Sequence, residues 1–377
     1  MTREKVLIVD DNATNLQVLF QTLDGRGYNL LVAKNGETAL KIAEKAKPDL
    51  ILLDIMMPDI DGYEVCRRLK EDPATADTPV IFLSALGDTK DKVMGLDLGA
   101  VDYITKPFQP EEVIARVNTH LTIHSLRRQL QEKHDELEDE LQLVAHTQHS
   151  LLPKSLPNIP GLKLAPYYQT SRYAGGDYYD ILELPDNRWG FVMADAAGHS
   201  AQAAVMMAMT CALLRAFPDT PVNPAEVLKH LNKHLCRLTQ GTFMTALYAV
   251  YDADRRIVTF SSAGHMPPVL FRPSNAETIE LPCQRTFPMA VEAYEDVPIN
   301  RTELQPGDRI MLYTDGISER FNALGEPYGT QRLLRQLARE CSGDPQEILD
   351  WIIEDLDRFA DNLPAEDDQA ILIGFVK

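Results

Sequence analysis

The stretch from Thr119 to Pro153 constrains the fold most strongly, because it contains no glycine and no proline before its last residue. A run of this length without a helix breaker predicts one continuous helix. One row of residues, spaced by seven positions, is apolar throughout: Ile123, Leu130, Leu137, Val144 and Leu151. The row four positions further on is mixed: Arg127, His134, Leu141 and Gln148. The pattern therefore fits either an amphipathic helix packed on one flanking domain or a parallel dimeric coiled coil.

The length of the chain predicts a domain on each side of this helix. A sequence of 377 residues is too long for one ordinary hydrophobic core. The predicted boundaries are 1–120 for the first domain, 121–152 for the helical linker and 153–377 for the second domain. The linker would then be the mechanical connection between the two domains.

The charge of the chain excludes some classes of partner. Its formal net charge is −19, and no segment of it is basic, so we do not expect binding to a nucleic acid. The apolar runs are much shorter than the roughly 18 to 20 residues of a membrane span, so no membrane association is expected. The first residues lead directly into the strand-like run KVLIV, with no signal peptide before it. We therefore expect a cytoplasmic protein.

In the first domain, five strand-like runs alternate with five helix-like runs, which predicts an α/β fold with a doubly wound parallel sheet. Ligand sites in such folds lie beyond the carboxyl ends of the strands. The polar residues at those ends are Asp10, Asp11, Asp54, Ser84 and Lys106. We therefore expect these five side chains to form one site.

Each of these side chains has a chemical role if the site accepts a phosphoryl group. Three carboxylates that lie close together need a hard cation between them, and Mg²⁺ accepts this mixture of carboxylate and water ligands. Asp54 can then attack as the nucleophile, while Lys106 and Ser84 hold the phosphoryl oxygens. A cis peptide bond between Lys106 and Pro107 could direct the lysine inward.

Residues 4–120 closely resemble the response-regulator receiver domain, on the motifs LIVDDN, LILLDIMMPDIDG, FLSA and DYITKPF. The resemblance implies phosphorylation of Asp54 by a sensor histidine kinase or a phosphotransfer protein. It implies one Mg²⁺ held by Asp10 or Asp11, by Asp54 and by the backbone carbonyl of Met56. It also implies a switch in which Ser84 moves toward the phosphoryl group and Tyr103 turns inward.

The second domain interleaves strand-like runs with paired helices, which predicts an α+β fold of layered sheets, a β-sandwich. Its acids again fall at turns beside strands. These turns are Gly175-Gly176-Asp177, Asp195-Ala196-Ala197-Gly198-His199, Thr314-Asp315-Gly316 and Glu366-Asp367-Asp368. One such turn is explained by local turn chemistry. Four of them together predict a cluster of carboxylates, which two divalent cations would neutralise.

Residues 148–377 resemble the metal-dependent serine/threonine phosphatases, in particular the bacterial stress-response and sporulation branch. The motifs that carry the resemblance occur in the same order as in that family: QHSLLP, GGDYYD, ADAAGHS, FMTALYAVYD, SSAGHMPPVL, YTDGISE and EDDQAIL. The resemblance implies hydrolysis of a phosphomonoester by a water that two Mn²⁺ or Mg²⁺ ions activate.

The resemblance also implies a role for each acid. Asp195 would bridge both metal ions, the carbonyl of Ala196 would complete the first site, and Asp177 would act at or just outside it. Asp315 and Asp367 would hold the second ion, with Asp368 as the competing choice to Asp367. Asp195, Asp315 and Asp367 are thus the predicted catalytic acids.

Three further positions leave alternatives open. Ala370 stands where the family often has a threonine, so the loop of the last acid lacks a hydroxyl that could brace it. His199 is either a general acid or a residue that stabilises the turn after Asp195. His265 either packs structurally or contacts the substrate.

Together these features predict a response regulator in which phosphorylation of Asp54 controls a protein phosphatase. By resemblance, the substrate would be a phosphorylated anti-sigma-factor antagonist. The apolar row of the linker helix leads us to expect a homodimer. The alternative is a non-catalytic adaptor that sequesters a signalling partner through a phosphatase-like domain. Loss of acids from the metal site would be the sequence sign of an adaptor, and Asp177, Asp195, Asp315 and Asp367 are all present.

Overall fold

A computed structural model describes residues 3–84, 97–171, 174–198, 201–239 and 241–377 of the chain. It divides into two compact units, Met1–Glu136 and Leu137–Lys377. The fourth of the five helix-like runs in the first domain, residues 90–98, lies almost entirely outside the described residues. No described helix is both long enough and apolar enough to cross a membrane.

The first unit contains a five-stranded parallel sheet in the order β2-β1-β3-β4-β5, which confirms the predicted doubly wound fold. The strands are β1 (Lys5–Val9), β2 (Asn29–Ala33), β3 (Leu50–Asp54), β4 (Val80–Ser84) and β5 (Asp102–Thr105). The first three helices are α1 (Ala13–Leu23), α2 (Gly36–Ala46) and α3 (Gly62–Glu71). Strands β3 and β4 are buried at every position, because helices cover both faces of the sheet.

The first three helices begin at polar residues that cap them. The side chains of Asn12, Asn35 and Asp61 accept backbone N–H groups of the first turns of α1, α2 and α3, respectively. Such caps satisfy amide groups that have no partner within the helix. They fix where each helix starts, directly after the loops that follow the strand ends.

The fourth helix of the described structure, α4 (Pro110–His149), is 40 residues long. It joins two segments that the sequence analysis treated separately, the last helix of the receiver and the linker. Val113, Val117 and Leu121 are buried in the core of the first unit. The next apolar residues are exposed, and Leu130 is 72% exposed. The helix ends in a turn in which the N–H of Leu151 donates to the carbonyl of Gln148 at 2.9 Å.

The second unit is a sandwich of two sheets, as predicted. The first sandwich sheet has the order β13-β10-β9-β8-β7, with β14 paired to β10, and the second has the order β12-β11-β15-β16-β6. The longer strands are β6 (Leu162–Gln169), β7 (Tyr178–Leu184), β8 (Arg188–Ala196), β9 (Met244–Asp252), β10 (Ile257–Ala263), β15 (Arg309–Tyr313) and β16 (Gln369–Val376). The shorter strands are β11 (Val269–Arg272), β12 (Glu277–Glu280), β13 (Arg285–Thr286) and β14 (Asn300–Glu303).

Helices cover the outer faces of the sandwich. They are α5 (Ala201–Arg215), α6 (Pro224–Leu238), α7 (Asp315–Ser318), α8 (Thr330–Leu337) and α9 (Pro345–Phe359). Strand β16 is buried along its whole length, because alternate residues enter different cores. Leu372 belongs to the core between the sheets, whereas Ile371 and Ile373 pack under α8 and α9.

Four short elements of the second unit were not predicted from the sequence: β12, β13, β14 and α7. The strand Asn300–Glu303 has no apolar residue, and its hydrogen bonds to β10 rather than a buried face define it. Helix α7 is only four residues long. Neither element contains the hydrophobic periodicity from which secondary structure is predicted.

Candidate functional site

In the first unit, the predicted strand-end residues meet in one pocket. Asp10 and Asp54 are buried, and the ammonium group of Lys106 lies 2.9 Å from a carboxylate oxygen of Asp10 and 2.8 Å from one of Asp54. The backbone N–H of Asn12 and the side-chain amide of Asn15 also donate to Asp10. The predicted cis peptide bond between Lys106 and Pro107 is present.

In this pocket the positive charge of Lys106 balances the negative charges of Asp10 and Asp54. Burial raises the pKa of Asp54 above its ordinary value, and the hydrogen bond from Lys106 acts in the opposite direction. The same two carboxylates raise the pKa of Lys106 against the effect of burial. The lysine is therefore held as a cation between the two acids.

The third acid of the pocket completes a group of potential metal ligands. Asp10, Asp11 and Asp54 each offer a carboxylate oxygen, and these oxygens all lie within 4.8 Å of one another. Oxygen ligands of this kind suit Mg²⁺. The side chain of Met56 points into solvent, so only its backbone could serve the site, and its N–H hydrogen-bonds to Asp54.

The predicted switch residues lie beside this pocket. Ser84 is buried at the end of β4, and its hydroxyl has no hydrogen-bond partner among the described residues. Tyr103 is half-buried in β5, and the guanidinium of Arg116 lies 5.7 Å from the centre of its ring. Arg116 also forms an ion pair with Asp102, and the ring of His120 contacts the same carboxylate.

In the second unit, each sandwich sheet brings two of the predicted acids to the site. Asp177 directly precedes β7, and Asp195 lies near the end of the neighbouring strand β8. Asp315 begins α7 directly after β15, and Asp367 lies in the loop that leads into the neighbouring strand β16. Because these strand ends are neighbours, the four turns meet although they are far apart in sequence.

The acids of this cluster raise one another's pKa values. Burial, and then the charges of Asp315 and Asp367, raise the pKa of Asp195 well above its ordinary value. Burial, and then the charge of Asp195, raise the pKa of Asp177. The pKa of Asp315 rises to about 6 through burial and the charge of Asp367. The four acids therefore share one region of unfavourable negative charge.

This cluster is wider than the receiver pocket. Within the described ranges, Asp10, Asp11 and Asp54 form the one group of three potential ligands whose atoms all lie within 4.8 Å. The donor set of the second unit is nevertheless suited to hard cations, because it consists of carboxylates and the backbone carbonyl of Ala196. That carbonyl closely faces Gly176, where a β-carbon would overlap it.

Asp367 and Asp368 have different surroundings. The Asp368 carboxylate is buried and accepts hydrogen bonds from the backbone N–H groups of Ser171 (2.8 Å) and Gly176 (2.6 Å). A β-carbon at Gly175 or Gly316 would overlap Asp368. Asp367 is exposed, and its charge acts on Asp195 and Asp315. Asp368 thus holds the loops together, and its neighbour faces the other acids.

The hydroxyl that Ala370 lacks is supplied by Thr314, the residue between β15 and α7. The hydroxyl of Thr314 is fully buried, donates to the carboxylate of Asp177 at 2.7 Å and accepts the N–H of Ala370 at 2.9 Å. One side chain therefore connects the loop of Asp177 with the start of β16. This role of Thr314 could not be predicted from local sequence, because its partners are 56 and 137 residues away.

His265 has a structural position and connects the two sheets. It is buried, and its Nε2 donates to the carbonyl of Tyr313 at 3.1 Å, while the hydroxyl of Thr245 lies 2.8 Å from Nδ1. Thr245 pairs with Asp195 in the first sandwich sheet, and Tyr313 precedes Thr314 in the second. Burial lowers the pKa of His265 to about 4, so the ring is neutral. His199 lies outside the described residues.

Two family descriptions match the chain. "Stage II sporulation protein E (SpoIIE)" matches residues 185–375, and "Response regulator receiver domain" matches residues 6–118. The first match covers just over half of the chain and begins after Asp177, and the second covers the parallel sheet except for Lys5. Each match lies within one of the two units.

Solved structures with a similar fold contain phosphatase domains. The SiaA-PP2C domain of Pseudomonas aeruginosa is 21% identical with a TM-score of 0.57, and covers 65% of this chain and 98% of that one. The PP2C phosphatase domain of SpoIIE from Bacillus subtilis, solved with a fragment of its regulatory domain, is 20% identical with a TM-score of 0.50. It covers 57% of this chain and 63% of that one. These similarities establish the PP2C fold of the second unit.

Curated relatives of the first unit are transcriptional regulators. The regulatory protein PhoP of Bacillus subtilis (strain 168) is 44% identical over 139 residues, which are 37% of this chain and 57% of PhoP. The regulator RpaA of Synechocystis sp. is 44% identical over 117 residues, which are 31% of this chain and 48% of RpaA. The chain thus spans about half the length of the curated relatives it matches.

Proposed function

Because the chain belongs to the SpoIIE family and carries a receiver domain in its first part, we propose that it is a metal-dependent protein phosphatase controlled by phosphorylation of Asp54. Its substrate is phosphoserine or phosphothreonine on a partner protein. The domains responsible are the receiver at 1–120, the linker at 121–152 and the phosphatase at 153–377.

The observation that carries this proposal is the cluster of four acids between the two sandwich sheets. Burial and mutual repulsion raise the pKa values of Asp177, Asp195 and Asp315, which is the condition that divalent cations relieve. In this assignment Asp177, Asp195 and the carbonyl of Ala196 serve one ion, and Asp195, Asp315 and Asp367 serve the other. Mn²⁺ or Mg²⁺ bound there would activate a water for in-line attack on phosphorus and hold the phosphoryl oxygens.

The residues around the acids keep them in position. Thr314 fixes the carboxylate of Asp177, and Asp368 holds the loop that contains Gly176. His265 fixes the spacing between the strands that lead to Asp195 and Asp315. Because these acids are held in position, the site does not have to reorganise during the reaction.

The receiver pocket supports control by phosphorylation. Lys106 already contacts Asp54, and the three acids of the pocket suit one Mg²⁺. A sensor histidine kinase or a phosphotransfer protein donates the phosphoryl group to Asp54. Ser84 and Tyr103 then respond to the new charge, and helix α4 transmits the change.

The exposed apolar residues of α4 support a homodimer. Ile123, Leu130 and Leu137 belong to the seven-residue row and are each more than half exposed. Two parallel helices would bury this row against its copy. In the double variant Leu137→Lys, Val144→Glu we expect loss of the dimer in analytical ultracentrifugation, together with loss of the response to Asp54 phosphorylation. A variant that stays dimeric and responsive would refute this role of the helix.

The sporulation and stress-response phosphatases that the sequence resembles support one class of partner. By this analogy the substrate is a phosphorylated anti-sigma-factor antagonist, and its dephosphorylation lets it engage the anti-sigma factor. Comparison of the hydrolysis rates of the phosphorylated and the unphosphorylated protein shows whether phosphorylation of Asp54 activates or inhibits the phosphatase.

Hydrolysis of p-nitrophenyl phosphate and of a phosphoserine protein by the full chain tests the proposal. We expect turnover with Mn²⁺ or Mg²⁺, no turnover with EDTA, and a changed rate when beryllofluoride mimics the phosphoryl group on Asp54. Absence of turnover on both substrates, with folded protein and added metal, would refute the enzyme and favour a non-catalytic adaptor.

A further inference from the structure

The end of α4 is bound to the loop that precedes Asp177. Gln148, in the last turn of the helix, is only 5% exposed although its neighbours His146 and His149 point into solvent. Its amide nitrogen donates to the carbonyl of Gly175, and its amide oxygen accepts the N–H of Gly175 at 3.0 Å. One side chain therefore satisfies both backbone groups of one glycine.

The glycine that Gln148 holds lies within the candidate metal centre. A β-carbon at Gly175 would overlap the carboxylate of Asp368, and the next residue, Gly176, donates its N–H to that same carboxylate. Asp177 follows directly. The chain from Gly175 to Asp177 is thus fixed on one side by Asp368 and on the other by the helix.

Two further contacts attach the same end of the helix to the phosphatase unit. Leu152 packs into the core between the sheets, and Arg215 donates to the carbonyl of Leu151 at 2.8 Å. Arg215 also pairs with the buried Asp180, three residues after Asp177. By contrast, the side chain of Leu130, further along α4 toward its start, is mostly exposed. The contacts with the metal loop are therefore concentrated in the last turn and just after it.

We propose that Gln148 is the positioning residue through which helix α4 sets the place of Asp177 in the metal centre. This inference rests on the proposed function and specifies its regulation. A small rotation or shift of the last helical turn moves the Gly175 peptide, because both of its polar groups are bonded to one side chain. Glycine has no side chain of its own that could hold the loop against this movement.

The test measures the ratio of Mn²⁺-dependent hydrolysis with and without beryllofluoride in the full chain. Gln148→Met preserves the length of the side chain and removes both hydrogen bonds. We expect this ratio, whether above or below 1 in the unaltered protein, to become about 1 in Gln148→Met, and the Mn²⁺ concentration for half-maximal activity to rise about 10-fold. Gln148→Glu keeps an acceptor for the N–H of Gly175 and loses the donor, so we expect an intermediate ratio.

The matched control is Gln142→Met, an exposed glutamine on the same helix. We expect it to keep the ratio and the Mn²⁺ dependence of the unaltered protein. If Gln148→Met loses activity equally in both states and keeps the ratio, the residue is merely structural and the proposal is wrong. If the unaltered protein hydrolyses the substrate but does not respond to beryllofluoride, the regulatory inference fails and the enzyme stands.

If Gln148→Met does not fold, hydrogen exchange in the unaltered chain still tests the proposal. Hydrogen exchange of the backbone amides at 174–178 reports the Gly175 peptide directly. We expect beryllofluoride to change the exchange rate of this segment by at least about 3-fold, while the core strand β9 remains unchanged. Equal exchange at 174–178 in both states would overturn the proposal.

Discussion

The two acidic sites of the molecule manage buried negative charge in different ways. In the receiver, Lys106 stands between Asp10 and Asp54, so the protein supplies its own cation. In the phosphatase unit, the neighbours that most affect Asp195 are further carboxylates, Asp315 and Asp367. The first site can therefore form before any metal binds, whereas in the proposed function the second takes its positive charge from added cations. A site with its own cation suits a switch, and a site that takes up metal ions suits the proposed enzyme.

The most severe test of this comparison is Asp195→Asn. Loss of the acid at the centre of the cluster removes several kcal/mol of transition-state stabilisation, so we expect a loss of activity of roughly 10³-fold or more. The measurement is Mn²⁺-dependent hydrolysis at saturating substrate. Asp186→Asn, in an exposed turn before β8, is the matched control and should retain activity. Activity within about 10-fold of the unaltered protein in Asp195→Asn would contradict the assignment.

The receiver should depend on its lysine. Lys106→Met leaves Asp10 and Asp54 buried without their cation, so we expect a loss of about 3 kcal/mol in the free energy of unfolding in EDTA. Mg²⁺ should restore part of it, and urea unfolding measures both values. Lys41→Met removes an exposed ion pair to Glu37 and should cost less than about 0.5 kcal/mol. An equal effect of the two variants would show that the buried pair is unimportant.

Metal should stabilise the phosphatase unit more at high pH than at low pH. The folded-state pKa of Asp315 is about 6, above its ordinary value, so its ionisation costs stability as pH rises from about 4 through 6. The pKa values of Asp177 and Asp195 are raised in the same direction and extend this loss. Mn²⁺ at about 100 times its Kd should add about 2.7 kcal/mol. We expect the difference in thermal unfolding between Mn²⁺ and EDTA to be larger at pH 8 than at pH 5, and equal differences would contradict this account.

The smallest expected effect concerns His265. In His265→Ala the hydrogen bonds to Thr245 and Tyr313 are lost, so the strands that carry Asp195 and Asp315 are less well fixed. We expect kcat to fall about 10-fold with a smaller change in KM, as for other residues that orient metal ligands. His146→Ala, on the exposed face of α4, is the control. A rise in KM alone would instead indicate that His265 contacts the substrate.

The sequence predicted those parts of the two sites that depend on local patterns. Acids at the ends of apolar strands identified Asp54 and Asp195, and the alternation of strands and helices identified the parallel sheet. Gln148 was read only as a polar member of the mixed row and as the first residue of the motif QHSLLP, with no role of its own. The roles of Gln148 and Thr314 come from contacts across 27 to 137 residues, which no local periodicity encodes. Strand Asn300–Glu303 was not predicted for the same reason, because its hydrogen bonds to β10, and not a buried face, define it.

The glycines around Asp368 have a consequence for how the phosphatase site can be redesigned. At Gly175 and Gly316 the backbone packs so closely on Asp368 that no β-carbon fits, so the frame of the loops consists of main chain and the carboxylate of Asp368. The acids that face one another, such as Asp195 and Asp367, project from this frame. A library that varies these acids could therefore alter metal preference while the loops keep their places. The same library extended to either glycine would instead yield proteins whose loops no longer meet.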